Sequence, residues 1–464
     1  MESKSILERF NAEMQRKMVR LHGAVLFSGG KVVDEIYNGT YNRQTKTRMY
    51  STSKSVTAIA IGKLVGEGKL SLDDKIVDIF SDRFDMSEVH PYLKEQTVRN
   101  MLTMSTCYSS STYNEHIKDW LASYFRATPT HRAGTVWNYD SSGSYVLGAV
   151  TKQLTGLDFV EYLRPELEAI GVAKDVYCMK GPDGEAWASS AFIARTEDLA
   201  RIAYLLLQGG KWDGKQLIPE TFVREATSPL VINDDGVHTS HYNCGYGYQI
   251  WIHPEGAFAF HGLGGQVAIG FPGRDLVFAC NSDTASNTTT YDAIFDAVES
   301  IILPSFPIVD KDAYDKAQPT RVENNCFDKI KNKLYILDKN PMGIDSVRFT
   351  SEGNAITLHY SRGEKKYEIP FIIDKESELI FPEKNVGAYL FNEDYYMNYR
   401  CSVIGKWLES NKLHIRVYAE DLYVGQMSMC FAFRDDGALG VKFDKAAQFF
   451  FNGFSGYTAG RVDE

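Results

Sequence analysis

The spacing of hydrophobic positions changes character along the chain. Residues 51–65 carry apolar positions on one side at helical spacing and are followed by two glycines, which predicts a helix. Residues 24–28 and 31–37 are β-rich runs on either side of Gly29-Gly30, which predicts a hairpin. Helices and strands are therefore both predicted in the first part of the chain.

The same rules predict further elements up to about residue 302. A run near the N terminus has near-helical spacing, and turns rich in glycine or proline separate the later runs. The predicted elements are helices over 4–21, 196–207 and 291–302 and strands over 246–252, 257–261, 267–271 and 276–280. A mixed unit is therefore expected to end near residue 305.

Prolines between residues 304 and 319 mark a change to short strands with alternating patterns. Strands are predicted over 356–360, 367–370, 413–418 and 425–433. We predict a first domain over 1–305, a linker over 306–320 and an all-β domain, a small barrel or a sandwich, over 321–464. Its aromatic residues either cap a cleft, bind a ligand or fill the barrel, and include Tyr389, Phe391, Tyr395, Tyr396 and Tyr399.

Composition narrows the classes of partner and compartment. The 464 residues carry a net charge of −10, which disfavours binding to nucleic-acid phosphates. The seven cysteines are widely spaced without a C-x-x-C pair, which fits a reducing compartment. The first ten residues lack the apolar core of a signal peptide, and no apolar run is long enough for a membrane span. We expect a cytoplasmic protein that binds neither nucleic acid nor membrane, and the sequence leaves its oligomeric state open.

The first candidate for chemistry is Ser51-Thr52-Ser53-Lys54, an S-x-x-K at the start of the helix over 51–65. Residues three apart lie on one helix face, so the lysine amine can reach the serine hydroxyl. A desolvated lysine can be neutral and act as a base toward that hydroxyl. A second S-x-x-K, Ser28-Gly29-Gly30-Lys31, lies in the predicted hairpin turn and has no helix behind it. The helix distinguishes Ser51 from Ser28.

Two further elements could complete a site. Tyr139-Asp140-Ser141 precedes a predicted helix, so the phenol of Tyr139 could point into a cleft. Phe260-His261-Gly262-Leu263-Gly264-Gly265-Gln266 lies between two strands, where glycines let a strand edge approach a ligand and donate an N–H to an oxyanion. Taken alone, the first element also fits an ordinary loop, and the second a tight turn with a structural histidine.

Other catalytic motifs are absent from the sequence. It contains neither the G-x-S-x-G nucleophile elbow nor the H-E-x-x-H zinc motif. His238 and His241 form a spaced pair in a polar segment, which favours a solvated loop over a metal site. We therefore expect neither a metal nor a cofactor.

The order and spacing of the three elements resemble the serine β-lactamase and penicillin-binding-protein superfamily. The resemblance is strongest to its class C side, with its esterases, D-aminopeptidases and 6-aminohexanoate-dimer hydrolases. It covers roughly residues 20–303, and the stretches that agree with the family pattern are 49–75, 97–105, 194–201, 209–214 and 245–248.

The resemblance implies an α+β fold, in which an antiparallel sheet with flanking helices lies beside a helical lobe and the site lies between them. It also implies roles for three residues. Ser51 would be the acylated nucleophile, and Lys54 and Tyr139 would be the pair of bases that moves its proton. The oxyanion would be bound by the backbone N–H of Ser51 and by one near Leu263.

The chain departs from the family pattern at two places. Ser141 stands where the family's Tyr-x-Asn motif has the asparagine that binds the substrate amide. The Lys-Thr-Gly motif of true β-lactamases has no match, and either residues 260–262 or residues 261–263 take its place. His261, Gly262 and Leu263 are therefore candidates for binding substrate or oxyanion. Without the lysine, strong β-lactamase activity is not expected.

We interpret the chain as a metal-free serine hydrolase that cleaves a small ester or amide through an acyl-enzyme on Ser51. The alternatives within the family are a D-amino-acid peptidase of the penicillin-binding carboxypeptidase type and a weak β-lactamase. The alternative from another class is a catalytically silent binding protein. The expected partner is a small ester, amide or short peptide.

Overall fold

The computed structural model describes residues 4–233, 241–283, 289–317, 325–383, 385–386, 396–397, 400–420, 424–447 and 451–463. The helices are α1 (Ile6–Arg16), α2 (Thr52–Gly66), α3 (Ile76–Ile79), α4 (Pro91–Lys94), α5 (Val98–Leu102), α6 (Trp120–Arg126), α7 (Ser141–Thr155), α8 (Phe159–Tyr162), α9 (Arg164–Ala169), α10 (Thr196–Leu207), α11 (Glu220–Ala226), α12 (Thr289–Ala297), α13 (Lys311–Ala317) and α14 (Phe327–Ile330). The strands are β1 (Leu21–Ser28), β2 (Lys31–Tyr37), β3 (Thr47–Arg48), β4 (Tyr177–Cys178), β5 (Phe192–Ala194), β6 (Lys211–Trp212), β7 (Lys215–Gln216), β8 (Trp251–Ile252), β9 (Phe258–Gly262), β10 (Gln266–Phe271), β11 (Leu276–Ser282), β12 (Leu334–Leu337), β13 (Ser346–Glu352), β14 (Ala355–Arg362), β15 (Lys365–Ile372), β16 (Ser377–Ile380), β17 (Asn385–Val386), β18 (Tyr396–Met397), β19 (Arg400–Glu409), β20 (Lys412–Ala419), β21 (Gly425–Phe433), β22 (Ala438–Ala447) and β23 (Gly456–Val462).

A six-stranded antiparallel sheet forms the centre of the first part of the chain, with the strand order β2-β1-β11-β10-β9-β8. Alternate residues of β1 face opposite sides of this sheet. Ala24 and Leu26 pack with residues of α1 and α12, whereas Val25 and Phe27 belong to the core shared with the helical region. The sheet is therefore covered by helices on both faces.

The helical region is built around α2, which is buried almost all round. An α-helix that is apolar on every face belongs inside a protein, so α2 is its central helix. Two glycines show how closely α2 and α7 each pack against their neighbours. A Cβ on Gly62 of α2 would lie 2.5 Å from the ring of Phe222 in α11, and one on Gly148 of α7 would lie 2.3 Å from the Cβ of Ala188. The N terminus of α2 meets the end of β9 at the border between helices and sheet.

The C-terminal part is a ten-stranded antiparallel sheet in the order β15-β14-β13-β12-β23-β22-β21-β20-β19-β16. A bridge between Ile373, after β15, and Gly405, in β19, brings the two ends of the sheet together. Inward-facing residues such as Phe349, Leu358 and Phe431 form a separate core. The sheet is therefore nearly closed, as the sequence prediction of a small barrel or sandwich expects.

The first part has the α+β architecture that the resemblance implies, an antiparallel sheet with flanking helices beside a helical region, but three boundaries differ from the sequence predictions. The first helix ends at Arg16 and Met18 has a φ of 57°, so Leu21 begins β1 instead of ending a helix. Only Trp251–Ile252 of the strand predicted over 246–252 forms a strand, because Gln249 has a φ of 59° and reverses the chain. The helix predicted over 291–302 is α12, which begins at Thr289, ends at Ala297 and continues as a π-helical turn, Val298–Ile302.

The segment predicted as a linker packs against the sheet where it is described. Val309 N–H donates to the carbonyl of Gly273 (2.7 Å), and α13 follows. A Cβ on Gly256 would lie 2.4 Å from the carbonyl oxygen of Ala317. The predicted domain boundaries stay a prediction.

Some sequence predictions lie outside the described residues. These concern His238 and the side chains of Tyr389, Phe391, Tyr395, Tyr396 and Tyr399. None of the helices in the described ranges is both long and apolar enough to cross a membrane.

Candidate active site

The N terminus of α2 presents Ser51 on a tight turn. The preceding residue, Tyr50, has a φ of 46°, a backbone conformation that side chains other than glycine adopt at a cost. The turn is held in place by Phe192, whose carbonyl accepts from Met49 N–H (2.8 Å) and whose N–H donates to the hydroxyl of Ser53 (3.0 Å). The Ser51 hydroxyl caps no backbone group of the helix, which leaves it available to other partners.

Lys54, one helical turn later, is in contact with Ser51. Its Nζ donates to Ser51 Oγ (3.0 Å) and to the carbonyl oxygen of Ser189 (2.7 Å), and only 2% of the residue is exposed. No carboxylate among the described residues forms an ion pair with it. Burial lowers the pKa of Lys54 to about 7, and the more distant carboxylate of Asp140 acts in the opposite direction. A substantial fraction of Lys54 is therefore neutral near pH 7 and can accept the Ser51 proton.

Tyr139 lies on the other side of the lysine. Lys54 Nζ is 5.0 Å from the centre of its ring, and the phenol neighbours the Ser51 hydroxyl. Burial raises the pKa of Tyr139 above its usual range, so the phenol stays protonated at neutral pH. The two groups that sequence reasoning treated as a pair of bases thus have opposite tendencies: Lys54 is suited to accept a proton, and Tyr139 to donate a hydrogen bond.

The end of β9 abuts the nucleophile turn. A Cβ on Gly262 would lie 2.4 Å from the carbonyl oxygen of Met49 and 3.1 Å from Thr52 Cγ2, so only glycine allows this approach. Leu263 follows directly and its side chain is 56% exposed. Among the described residues, the N–H groups of Ser51 and Leu263 donate to no backbone carbonyl. These two N–H groups therefore remain candidates for binding an oxyanion.

The turn from β9 to β10 is held by Gln266 from inside the protein. Gln266 pairs with Gly262 across the hairpin, and its amide donates to the carbonyls of Leu263 (3.2 Å) and Ser282 (2.6 Å). Gly265, with a φ of 84°, has no room for a Cβ because Ser282 Oγ would lie 2.1 Å away. The position of the Leu263 N–H is therefore fixed by contacts within the sheet.

The side chain of His261 lies beneath this edge, with 6% of the residue exposed. Its Nε2 is hydrogen-bonded to Nε2 of His253 (2.8 Å), and burial lowers its pKa to about 3. Its ring stacks on Trp251 (5.2 Å between centroids) and on Tyr291 (5.4 Å), and Trp251 stacks in turn on Tyr139 (5.7 Å). These four rings, Tyr139, Trp251, His261 and Tyr291, form a stacked column in which His261 supports Tyr139 through Trp251.

Ser141 and Asp140 sit at the start of α7. Asp140 caps the helix: its carboxylate accepts from the N–H groups of Ser142 (2.8 Å) and Gly143 (3.2 Å) and from the hydroxyl of Thr106 (3.0 Å). Ser141 is the first helical residue and is partly exposed. Within the described residues, no hydrogen bond joins its side chain to Ser51, Lys54 or Tyr139, so its predicted contact with substrate stays a prediction.

Several residues around the nucleophile were missed by sequence reasoning. Ser189 contributes a backbone carbonyl to Lys54, and its hydroxyl is hydrogen-bonded to Tyr113 (2.8 Å). Tyr291 donates to the carbonyl of Gly262. Trp251 and Tyr291 carried the general signal of an aromatic residue near a predicted strand or helix, whereas a carbonyl contributed 135 residues after Lys54 leaves no signal in a single sequence.

His241 and Tyr248, which lies in the stretch 245–248 that agrees with the family pattern, both have structural partners. The hydroxyl of Tyr248, an aromatic residue close to the third motif, is bonded to Glu225 (2.7 Å) and to Arg99 (2.5 Å), away from Ser51. His241 is bonded through Nε2 to Glu299 (3.0 Å). In the described ranges, no group of three or more histidine, cysteine or carboxylate side chains is arranged to hold a metal ion.

Comparison with known proteins identifies the family to which the chain is similar. The model of the Beta-lactamase family matches residues 10–299, which is more than half of the chain. A 6-aminohexanoate-dimer hydrolase of Paenarthrobacter ureafaciens is 22% identical over 246 residues, which are 49% of this chain and 63% of that enzyme, less than two thirds of its length.

Solved structures share the fold at low identity. A penicillin-binding protein homologue from Caulobacter crescentus has a TM-score of 0.53 at 18% identity and covers 64% of this chain and 98% of its own. SurE, solved with D-Leu, has a TM-score of 0.54 at 16% identity and covers 97% of this chain and 98% of its own, so the two-part fold occurs there as well. With the family match over residues 10–299, we conclude that the chain belongs to the Beta-lactamase family and is a serine hydrolase.

Proposed function

We propose that the protein hydrolyses a small ester or amide through an acyl-enzyme on Ser51, without a metal ion. The observation that carries the proposal is the hydrogen bond of 3.0 Å from a buried Lys54 to Ser51 Oγ, with the pKa of the lysine lowered to about 7. A nucleophilic serine needs an adjacent group that can take its proton at neutral pH. A silent binding protein would have no need for a lysine buried without an ion pair.

The proposed reaction has two halves. Lys54 takes the hydroxyl proton while Ser51 Oγ bonds to the substrate carbonyl carbon, and the Ser51 and Leu263 N–H groups bind the resulting oxyanion. The tetrahedral intermediate then expels the alcohol or amine, which receives a proton from the Lys54 and Tyr139 pair. In the second half, water attacks the carbonyl carbon of the acyl-enzyme and gives a proton to Lys54. The bond to Ser51 Oγ then breaks, Lys54 returns the proton to that oxygen, and the acid leaves.

The substrate is proposed to be small and neutral around the scissile bond. Leu263 is exposed at the site edge, and the ring of Trp251 supports Tyr139, so an apolar acyl group is favoured there. The seven cysteines all lie in the described residues and none is joined to another by a disulfide, which supports the proposal that the protein works in a reducing compartment, the cytoplasm.

Intact-mass measurement of the acyl-enzyme tests the proposal. The protein is mixed in turn with p-nitrophenyl acetate, D-alanyl-p-nitroanilide, benzylpenicillin and a fluorophosphonate, and each mass is compared with that of Ser51→Ala. We expect adducts of the acyl group and of the phosphonate on the wild type and none on the variant. A preference for the D-alanyl compound would indicate a D-amino-acid peptidase instead of an esterase. Stable penicillin adducts would indicate a protein of the penicillin-binding type. Absence of every adduct, with the protein folded, would overturn the proposal in favour of a silent binding protein.

A further inference from the structure

The C-terminal barrel contacts the segment that ends in Tyr139. We call residues 131–139 the Tyr139 segment. Strands β22 and β23 lie against it, although they follow it by about 300 residues in the chain. A Cβ on Gly440 of β22 would lie 2.3 Å from Thr135 Oγ1, so the backbone of β22 comes as close to this segment as glycine permits.

The most direct link is formed by Tyr457 of β23. Its hydroxyl donates to Oδ1 of Asn138 (2.7 Å), and its ring stacks on His131 (5.2 Å between centroids). The other end of the Asn138 amide donates to the carbonyl of Tyr108 (3.1 Å), and Asn138 N–H donates to the carbonyl of Met104 (2.9 Å). Asn138, the residue next to Tyr139, is therefore held between the helical region and the barrel.

Charged residues reinforce the contact at the start of the segment. Glu95 accepts from Arg132 through one carboxylate oxygen and from Arg434, in the turn before β22, through the other (2.9 Å). Only 7% of the Arg132 side chain is exposed, so this shared carboxylate lies in a partly desolvated position. At the opposite end of the segment, Lys442 Nζ is 5.8 Å from the ring centre of Trp137.

The position of the Tyr139 phenol depends on this backbone. Tyr139 reaches Ser51 and Lys54 from a loop, and loop residues have fewer fixed backbone contacts than residues of helices or strands. A displacement of about 1 Å at a catalytic group lowers the rate by a large factor. The hydrogen bond from Tyr457 to Asn138, the residue before Tyr139, therefore affects the reaction rate more than its strength alone indicates.

We infer that Tyr457 is a positioning residue for the hydrolase site, and that the barrel acts on catalysis by fixing Asn138 and through it Tyr139. The inference rests on the proposed function, since Tyr139 matters only if Ser51 is the nucleophile. It assigns the barrel a role beyond that of an appended domain: the site is complete only when β22 and β23 are docked on the Tyr139 segment.

The kinetic test uses Tyr457→Phe in the full-length protein, which removes the hydroxyl but keeps the ring on His131. Tyr360→Phe is the matched control, because it removes a tyrosine hydrogen bond of the same length inside the barrel, to Glu383 (2.7 Å), and not one to the Tyr139 segment. For ester hydrolysis we expect kcat to fall about fivefold in Tyr457→Phe with KM nearly unchanged, and neither value to change in Tyr360→Phe. Equal kinetics of the two variants would overturn the inference.

A second readout does not require turnover. Hydrogen exchange of the peptide over 131–140 is compared in wild type, Tyr457→Phe and Tyr360→Phe. We expect faster exchange of this peptide in Tyr457→Phe alone, with unchanged exchange in α2. Unchanged exchange over 131–140 in Tyr457→Phe contradicts the inference even if no substrate is found. Faster exchange in a protein that Ser51 probes do not label would retain the positioning contact and refute the proposed function instead.

Discussion

The chain contains the four-residue motif S-x-x-K twice, in two different environments. Ser28 and Lys31 flank two glycines with φ values of 57° and 74° and face each other across the hairpin of β1 and β2, where Lys31 is exposed. Ser51 and Lys54 lie on the first turn of a buried helix, where Lys54 is 2% exposed.

The difference shows that the S-x-x-K spacing alone does not give a lysine that can accept a proton. The hairpin turn leaves Lys31 exposed to water. A buried helix start places the amine beside the hydroxyl and removes its water, which lowers the pKa of Lys54 to about 7. The proposed reactivity of Ser51 therefore depends on the burial of Lys54, and variants at the two sites test this contrast.

Loss of the nucleophile should have the largest effect. Ser51→Ala removes the attacking oxygen, and we expect kcat/KM for the best ester substrate to fall by at least about 10³-fold. Ser28→Ala is the control with the same substitution in the other S-x-x-K, and it should retain wild-type activity. Full turnover by Ser51→Ala would contradict the assignment of the site.

Loss of the base should come next. Lys54→Met keeps most of the buried side-chain volume but has no proton acceptor, so we expect kcat to fall by about 10³-fold. Lys31→Met should have no effect because Lys31 is exposed in the hairpin. Steady-state kinetics with one ester checks both variants, and a similar loss in both would refute the contrast between the two lysines.

Tyr139→Phe tests the phenol hydroxyl that lies beside Ser51 and Lys54. The phenyl ring can keep the stack on Trp251, so the variant should fold and lose only the hydrogen bond and proton transfer of the phenol. We expect kcat to fall by about 10²-fold. An unchanged kcat would indicate that Lys54 moves the proton alone.

The pH profile of kcat/KM reports the burial of Lys54 directly. The lysine accepts a proton only when neutral, and its neutral fraction grows as the pH rises through its pKa of about 7. We expect the rate to rise about tenfold per pH unit below pH 7 and to level off above it. His261, whose pKa burial lowers to about 3, does not titrate in this range. A flat profile from pH 5 to 9 would mean that the base is another group.

Asp140→Asn should give the smallest change and sharpen the assignment. The negative charge of Asp140 raises the pKa of Lys54, so its removal lowers that pKa further. Asparagine is also a good helix cap, so α7 should keep its start. We expect the midpoint of the pH profile to move to lower pH while the rate above pH 8 is retained. An unchanged midpoint would show that the pH profile does not report the titration of Lys54.

Much of the fold followed from local patterns. The hairpin of β1 and β2, helix α10 and the strands of the C-terminal sheet were predicted because their periodicity or turn residues are local signals. The strand predicted over 246–252 was wrong because Gln249 adopts a positive φ, for which a glutamine gives no warning. Packing of the surrounding chain imposes that turn.

The candidate site was predictable to a similar degree. The three catalytic candidates Ser51, Lys54 and Tyr139 were found from spacing and resemblance, and the structure brings them into contact. The register of the third motif was open in the sequence. In the structure the contact of Gly262 with Met49 favours the Leu263 N–H as the second donor.

The sequence by itself determined that a serine and a lysine three residues apart lie on one helix face, because hydrogen bonds within a helix are local. Only the tertiary structure decided that Lys54 is buried and donates to the carbonyl of Ser189. It also decided that Trp251 stacks on Tyr139 and that the barrel forms a hydrogen bond to Asn138. Desolvation and side-chain position depend on atoms contributed by distant parts of the chain. The same S-x-x-K spacing therefore gives a buried lysine with a lowered pKa at residue 54 and a solvent-exposed one at residue 31.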